Sequence, residues 1–253
     1  GFDANISLLI NSPQIAQIYE KEFKNFINNK FHSAKTPSDN AQIKLNNKNI
    51  SVFFSPQDNV IQNQVIPEIR KAKNYIYMPV FIITHRQLAQ ELINAKKRKV
   101  DVKLIIDATS ARNKYSQHTL LRQNGISVKT ENFAGKMHMK SVIIDDKTVF
   151  TGSMNYTKSG NSYNDENCLK IEDAQIAKDM KKVFNLIWSK IPDKYLTKDP
   201  APESFESVGS CFDGVDNDFD EKIEKYINIR GFRYFLDGNS PYTKMNNYWN
   251  TLN

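Results

Sequence analysis

The sequence predicts an α/β layer fold, a mixed central β-sheet flanked by helices on both faces. Three observations carry this expectation. Short apolar runs of strand length recur along the chain at Ile50–Phe54, Asn74–Met78, Val102–Ile106 and Ile126–Val128. Between them lie segments whose apolar residues repeat at helical spacing, such as Gln87–Lys99 with Leu88, Leu92 and Ala95 on one face. The run Val102-Lys-Leu-Ile-Ile106 is apolar almost throughout, as a strand covered on both faces should be. Strands that alternate with helices bury their apolar surfaces as stacked layers. With 253 residues the chain can bury one good core and carry an appendage.

Composition narrows the partners. A net charge of +7 favours polyanions, whether nucleic acid or an anionic lipid surface, without choosing between them. Hydrophobic residues make up 40% of the chain, and no apolar run has the length of a membrane-spanning helix. The opening Gly1-Phe-Asp-Ala-Asn-Ile lacks the basic start and apolar stretch of a signal peptide. Cys168 and Cys211 permit at most one disulfide.

Taken in order, the chain opens on a repeat. Residues 3–16, from Asp3-Ala-Asn-Ile to Gln-Ile-Ala16, resemble residues 165–177, from Asp165-Glu-Asn-Cys to Gln-Ile-Ala177, with one residue inserted. An amphipathic helix follows each copy, with Ile15, Ile18, Tyr19, Phe23 and Phe26 in the first and Ile176, Met180, Val183, Phe184 and Ile187 in the second. Residues 31–48 are polar and read as a linker. Ile50–Phe54 then alternates as a strand and ends at Ser55-Pro56. Val60–Lys73 has helical character, with Pro67 as an obstacle to a continuous helix. After the strands and helix already named, Tyr115–Asn124 reads as a short helix stopped by Gly125. The charge run Lys96-Lys-Arg-Lys99 sits where a helix ends and is expected to face water. Arg112, Lys114, Lys129 and Lys136 lie in loops or at strand ends and are better placed for phosphate contacts.

The most informative stretch runs from Met137 to Tyr156. His138 and Lys140 are two apart, so on extended backbone they share a face. Val142-Ile143-Ile144 continues a strand into Asp145, Asp146-Lys147 reads as a tight turn, and Thr148–Thr151 returns as a second strand. The hairpin brings Gly152-Ser153-Met154-Asn155 back beside His138. An imidazole, a fixed cation, a hydroxyl and an amide would then share one small site. Those groups suffice to attack a phosphodiester, with the imidazole taking phosphorus covalently and the donors neutralising its oxygens.

The spacing His-x-Lys, four residues, Asp, six residues, Gly-Ser-x-Asn resembles the HKD signature of the phospholipase D superfamily. The resemblance covers residues 49 to 190. It implies the phospholipase D-like fold and a reaction without a catalytic metal cofactor. It implies His138 as nucleophile, with a second His from another HKD motif as general acid. Lys140 and Asn155 would hold the non-bridging oxygens and Ser153 would add a hydroxyl contact. Asp145 would support the site, and Glu166 would orient the His138 imidazole. The second motif would come from a homodimer partner or from an upstream repeat. On that view residues 1–30 are the end of a preceding HKD unit, with Ala4 where the second copy has Glu166. Residues 31–48 are then a linker, 49–191 the catalytic domain and 192–253 a tail. A metal-independent nuclease cutting DNA or RNA leads the functional readings. A phospholipase D or phosphatidyl transferase is the alternative, and an inactive binding protein the third.

The tail carries Cys211-Phe-Asp-Gly-Val-Asp-Asn-Asp-Phe-Asp-Glu221. Asp216, Asp218 and Asp220 alternate like the first ligands of a calcium loop, but Glu221 and Ile227 depart from an EF-hand. The segment is similar to Asp-rich repeats of secreted bacterial proteins, with Phe219 where those have a second Cys. A structural calcium ion and a secreted or periplasmic location are the expectations it raises.

Overall fold

Alternation along the strands decides the architecture, because successive side chains leave opposite faces of a sheet. The computed structural model describes residues 3–36, 38, 42–202, 204 and 207, with the backbone of 232–235. Its elements are β1 (Ile6–Leu9), α1 (Pro13–Ile27), β2 (Gln42–Leu45), β3 (Lys48–Ser55), α2 (Ile66–Lys71), β4 (Tyr75–Val80) and α3 (Arg86–Lys97). There follow β5 (Asp101–Ile106), α4 (Ala108–Ala111), α5 (His118–Gln123), β6 (Ser127–Thr130), β7 (Val142–Ile144) and β8 (Thr148–Gly152). The last are α6 (Lys158–Ser162), β9 (Glu166–Glu172), α7 (Ala174–Lys190) and β10 (Phe232–Phe235).

Eight strands form one mixed sheet in the order β2-β3-β9-β8-β7-β4-β5-β6. β4, β5 and β6 run parallel, while the other neighbours are antiparallel. β4 shows how the two cores are divided. Ile76, Met78 and Val80 enter the layer that holds Ile66 and Ile69 of α2 and Leu88 and Leu92 of α3. Tyr75 and Tyr77 face the other way, and Tyr77 stacks on Phe184 of α7 at 4.7 Å between ring centroids. The expected fold, with helices on both faces, is the one observed.

Several local expectations change. The interruption expected at Pro67 takes the form of a change of helix type. Pro67 lies in the first turn of α2, and the preceding Ile61–Val65 widens into a π-turn. A proline has no N–H to offer the carbonyl four residues back, and the wider turn makes room for its ring. The polar stretch 31–48 is not linker throughout, since Gln42–Leu45 forms the edge strand β2 against β3. Asn46 and Asn47 turn between them with φ of 47° and 66°, a left-handed pair that suits a two-residue hairpin. Lys129 is not at a site mouth. It is buried, and its Nζ donates to the carbonyls of Trp188 and Ile191. In α1, Ile15 is buried as expected but Phe23 is 59% exposed. The helix instead turns Glu22 inward to meet Lys35.

The caps correct the alignment of the two repeats. Ser12 caps α1 by accepting from the Ile15 N–H, and Asp173 caps α7 by accepting from the Ile176 N–H. Superposing the caps removes the inserted residue and puts Asn5, not Ala4, at the position of Glu166. Asp216, Asp218, Asp220 and Cys211 lie outside the described residues, and Cys168 is buried, with no disulfide among the described residues. Among the described residues no helix is long and apolar enough to cross a membrane.

Candidate active site

His138 and Lys140 lie on extended backbone just before β7. Met137 and Met139 between and beside them point into the core against α7. The alternation therefore sends His138 and Lys140 to the opposite side together, as their spacing predicts. The strand is stitched on both flanks. Phe81 N donates to Met139 O at 2.9 Å on the β4 side, and His138 N donates to Ala4 O at 3.0 Å on the other.

The imidazole is set by two residues that spacing could not reveal. His138 Nδ1 lies 3.2 Å from Asn5 Oδ1. An amide oxygen only accepts, so this bond keeps the proton on Nδ1 and leaves the lone pair on Nε2. Phe81 meets the imidazole edge-on at 5.3 Å. Burial, and then the Lys140 charge, hold the His138 pKa below the ordinary histidine value. The imidazole is therefore neutral near pH 7, the form that has a pair to donate.

Lys140 is 8% exposed and its Nζ donates to His138 O at 2.6 Å. Burial lowers its pKa to about 8, against the opposing pull of Glu166, Asp3 and Asp107. A cavity of about 260 Å³ opens beside these groups, lined by Asn5, Ile6, His138, Met139, Lys140, Thr151, Gly152 and Ser153. Its floor needs Gly152. A Cβ there would lie 2.2 Å from Asn167 O on the neighbouring strand, so β8 and β9 can approach only at a glycine. Gly152→Ala should cost about 1–3 kcal/mol as an overpacked site does. Urea unfolding should show that loss, and the displaced Ser153 edge should lower turnover as well.

The remaining expected residues are not all at the cavity. Ser153 Oγ donates to Glu166 Oε2 at 2.6 Å and accepts from Asn167 N at 3.0 Å, so its hydroxyl proton is already engaged. Glu166 is bonded to Ser153 and Asn164, and no described bond joins it to His138. Asn155 does not line the cavity, and its Oδ1 is buried without a partner among the described residues. Asp145 serves at a distance. Its carboxylate accepts from the N–H groups of Lys73, Asn74 and Tyr75 at 2.7–2.8 Å, tying the entry of β4 to the end of β7. The turn itself is Asp145-Asp146, with φ of 54° and 49°, one residue earlier than expected. Among the described residues no group of three or more His, Cys, Asp or Glu is arranged to hold a metal ion.

Comparison with known proteins agrees with this geometry. The family described as "Cardiolipin synthase, PLD-like domain" matches residues 65–188. A phospholipase D of Rickettsia prowazekii is 35% identical over 161 residues, 61% of this chain and 76% of that one. A mitochondrial cardiolipin hydrolase of Xenopus laevis is 30% identical over 143 residues, 56% of this chain and 65% of that one. Among solved structures, the phospholipase D family member Nuc of Salmonella typhimurium superposes with a TM-score of 0.53 at 30% identity. That match covers 57% of this chain and 97% of Nuc. This chain therefore belongs to the phospholipase D superfamily of phosphodiesterases.

Proposed function

We propose that the chain hydrolyses nucleic-acid phosphodiesters through a phosphohistidine on His138, without a catalytic metal. His138 Nε2 attacks phosphorus, and Lys140 receives the charge on the non-bridging oxygens while Gly152 and Ser153 shape the cavity wall. The observation that carries the choice of substrate is a pair of aromatic faces open to solvent. Two exposed tyrosines each have a lysine over the ring, Lys114 at 5.0 Å from Tyr115 and Lys158 at 5.7 Å from Tyr163. Their loops are anchored next to the site. Gln117 N bonds Ile83 O just beyond Phe81, and Asn164 bonds Glu166. An aromatic face with a cation beside it is what a single strand uses, the base stacking and the phosphate paired.

A second reading, phospholipid, rests on a different feature. A groove of about 600 Å³ shares Ile6, Thr151, Gly152 and Ser153 with the catalytic cavity and is otherwise lined mostly by aliphatic residues of β1, α1 and β9. Acyl chains would suit it. The names of the Rickettsia and Xenopus relatives point the same way. The protein should be assayed with EDTA present on single-stranded DNA, RNA and phosphatidylcholine vesicles. Strand cleavage with intact vesicles supports the first reading, and the reverse result replaces it with the second.

One HKD motif supplies half of the machinery, and the leaving group needs an acid from the other side. We infer that the second motif belongs to another copy or to an upstream repeat. The corrected alignment supports this. Asn5, the counterpart of Glu166, bonds His138, so by the same relation Glu166 would orient the histidine of the second unit. Turnover should then rise with the oligomeric fraction measured by analytical ultracentrifugation. Full turnover by a demonstrable monomer of this chain would overturn the inference.

A further inference from the structure

Two carboxyl groups that the mechanism has not used lie beneath the site. Asp107 follows β5 and Glu131 follows β6, and each residue is 1% exposed. They sit at the carboxyl ends of adjacent parallel strands, tied to the catalytic edge through Phe81. Asp107 N donates to Phe81 O at 3.4 Å, and the Phe81 ring lies against both His138 and Lys140. Glu131 Oε1 accepts from Ala108 N at 2.9 Å and Oε2 from Phe133 N at 2.6 Å. Asp107 Oδ1 accepts from Ser110 N at 3.0 Å, but Oδ2 is buried with no partner in hydrogen-bond geometry among the described residues. The N–H that Glu131 accepts belongs to the residue following Asp107, so the two buried carboxyl groups are neighbours.

A pair of carboxylates in contact away from water cannot both carry charge, and a single proton between them satisfies the orphan oxygen. We propose that Asp107 and Glu131 share one proton and so place a single negative charge behind His138 and Lys140. Asp107 is thereby a positioning residue for the phosphate-binding lysine. This rests on the phosphodiesterase reading for its purpose, though not for its chemistry. Burial works to discharge Lys140, and a fixed anion nearby works to keep it charged. Two paired anions would be too costly to bury, and none would leave Lys140 with Glu166 and Asp3 alone. The other charges around the two groups are Asp3 and Glu166, which act with Asp107, and Lys136, which opposes it at His138.

Burial also lifts the Glu131 carboxyl to about 8, so the pair should keep its proton through neutral pH. The unfolded chain releases that proton near the ordinary glutamate value, so this group's contribution to stability is fully present below it. The contribution is lost as pH rises through about 8.

The test needs no turnover, so its failure is separable from failure of the phosphodiesterase reading. At pH 7 the infrared spectrum of the wild-type protein should show the C=O stretch of a buried protonated carboxyl, absent in Glu131→Gln. The second readout is the NMR titration of the His138 imidazole, assigned by its loss in His138→Asn. Asp107→Asn retains the cap on Ser110 but moves the single charge onto Glu131, one strand further from the site, and should lower the His138 midpoint by about half a unit to one unit. Glu131→Gln, whose amide donates to Asp107 permanently, should leave that midpoint in place. No protonated carboxyl in the wild type would overturn the proposal. So would an unmoved midpoint in Asp107→Asn, or an equal shift in both variants.

Discussion

Replacing His138 with asparagine should remove the covalent intermediate and lower turnover on the order of a million-fold, as loss of a covalent nucleophile does elsewhere. An amide cannot accept and release a phosphoryl group, although it can still hydrogen-bond to Asn5. The fold should therefore survive while the chemistry does not. Acid-labile phosphate trapped on wild-type protein by rapid quenching, and absent from the variant, is the measurement. Lys140→Ala should cost about a hundred- to a thousand-fold, the usual effect of losing one fixed donor at a developing oxyanion. The pH profile should have two limbs. Turnover falls on the acid side as His138 gains a proton, at a pH below the ordinary histidine value, because burial and Lys140 disfavour the cation. It falls on the alkaline side near pH 8 as Lys140 loses its proton. A chelator should leave both limbs and the rate unchanged. A chelator-sensitive enzyme that tolerates His138→Asn would contradict the whole assignment.

What the sequence made legible was local in the chain. His138 and Lys140 share a face because of spacing alone, and the hairpin brings Gly152 and Ser153 back to them by its own register. The sheet's layers were legible because β4, β5 and β7 carry apolar side chains on both faces. What stayed hidden depended on sheet order. Asn5 reaches His138 across 133 residues, and Phe81 and Asp107 arrive from strands β4 and β5. No periodicity connects such residues. Asp145 was visible as a motif position, yet its carboxylate acts on backbone some 70 residues earlier. Glu166 shows the converse. Its place in the sequence was legible, but its bonds to Ser153 and Asn164 were not. The strand β2 could have been found, because Ile43 and Leu45 alternate before an Asn-Asn turn.

The largest stability effect should come from Lys35, in the stretch that composition marked as linker. Its side chain is fully buried. The ammonium is held by Glu22 of α1, by Asp165 Oδ1 at 2.6 Å and by Ser55 O at 3.0 Å. Those partners come from three places: the N-terminal helix, the residue preceding β9, and the end of β3. Gln57 also donates to Glu22, and His32 lies 2.9 Å from Asp165. One lysine thus fastens the N-terminal arm, which carries Asn5, to the sheet that carries His138. Lys35→Ala leaves two carboxylates in a buried site without their cation. Breaking a buried pair in that way costs about 3–5 kcal/mol, a large share of the roughly 5–15 kcal/mol that holds a domain together. Lys35→Met restores the stem's volume but not the charge, so it should recover little. The triple variant Lys35→Met, Glu22→Gln, Asp165→Asn removes the stranded charges and should recover much of the loss. Urea unfolding of the three proteins separates these outcomes. If Lys35→Ala unfolds at the wild-type midpoint, the ion cluster does not hold the arm, and the route by which Asn5 reaches His138 must be sought elsewhere.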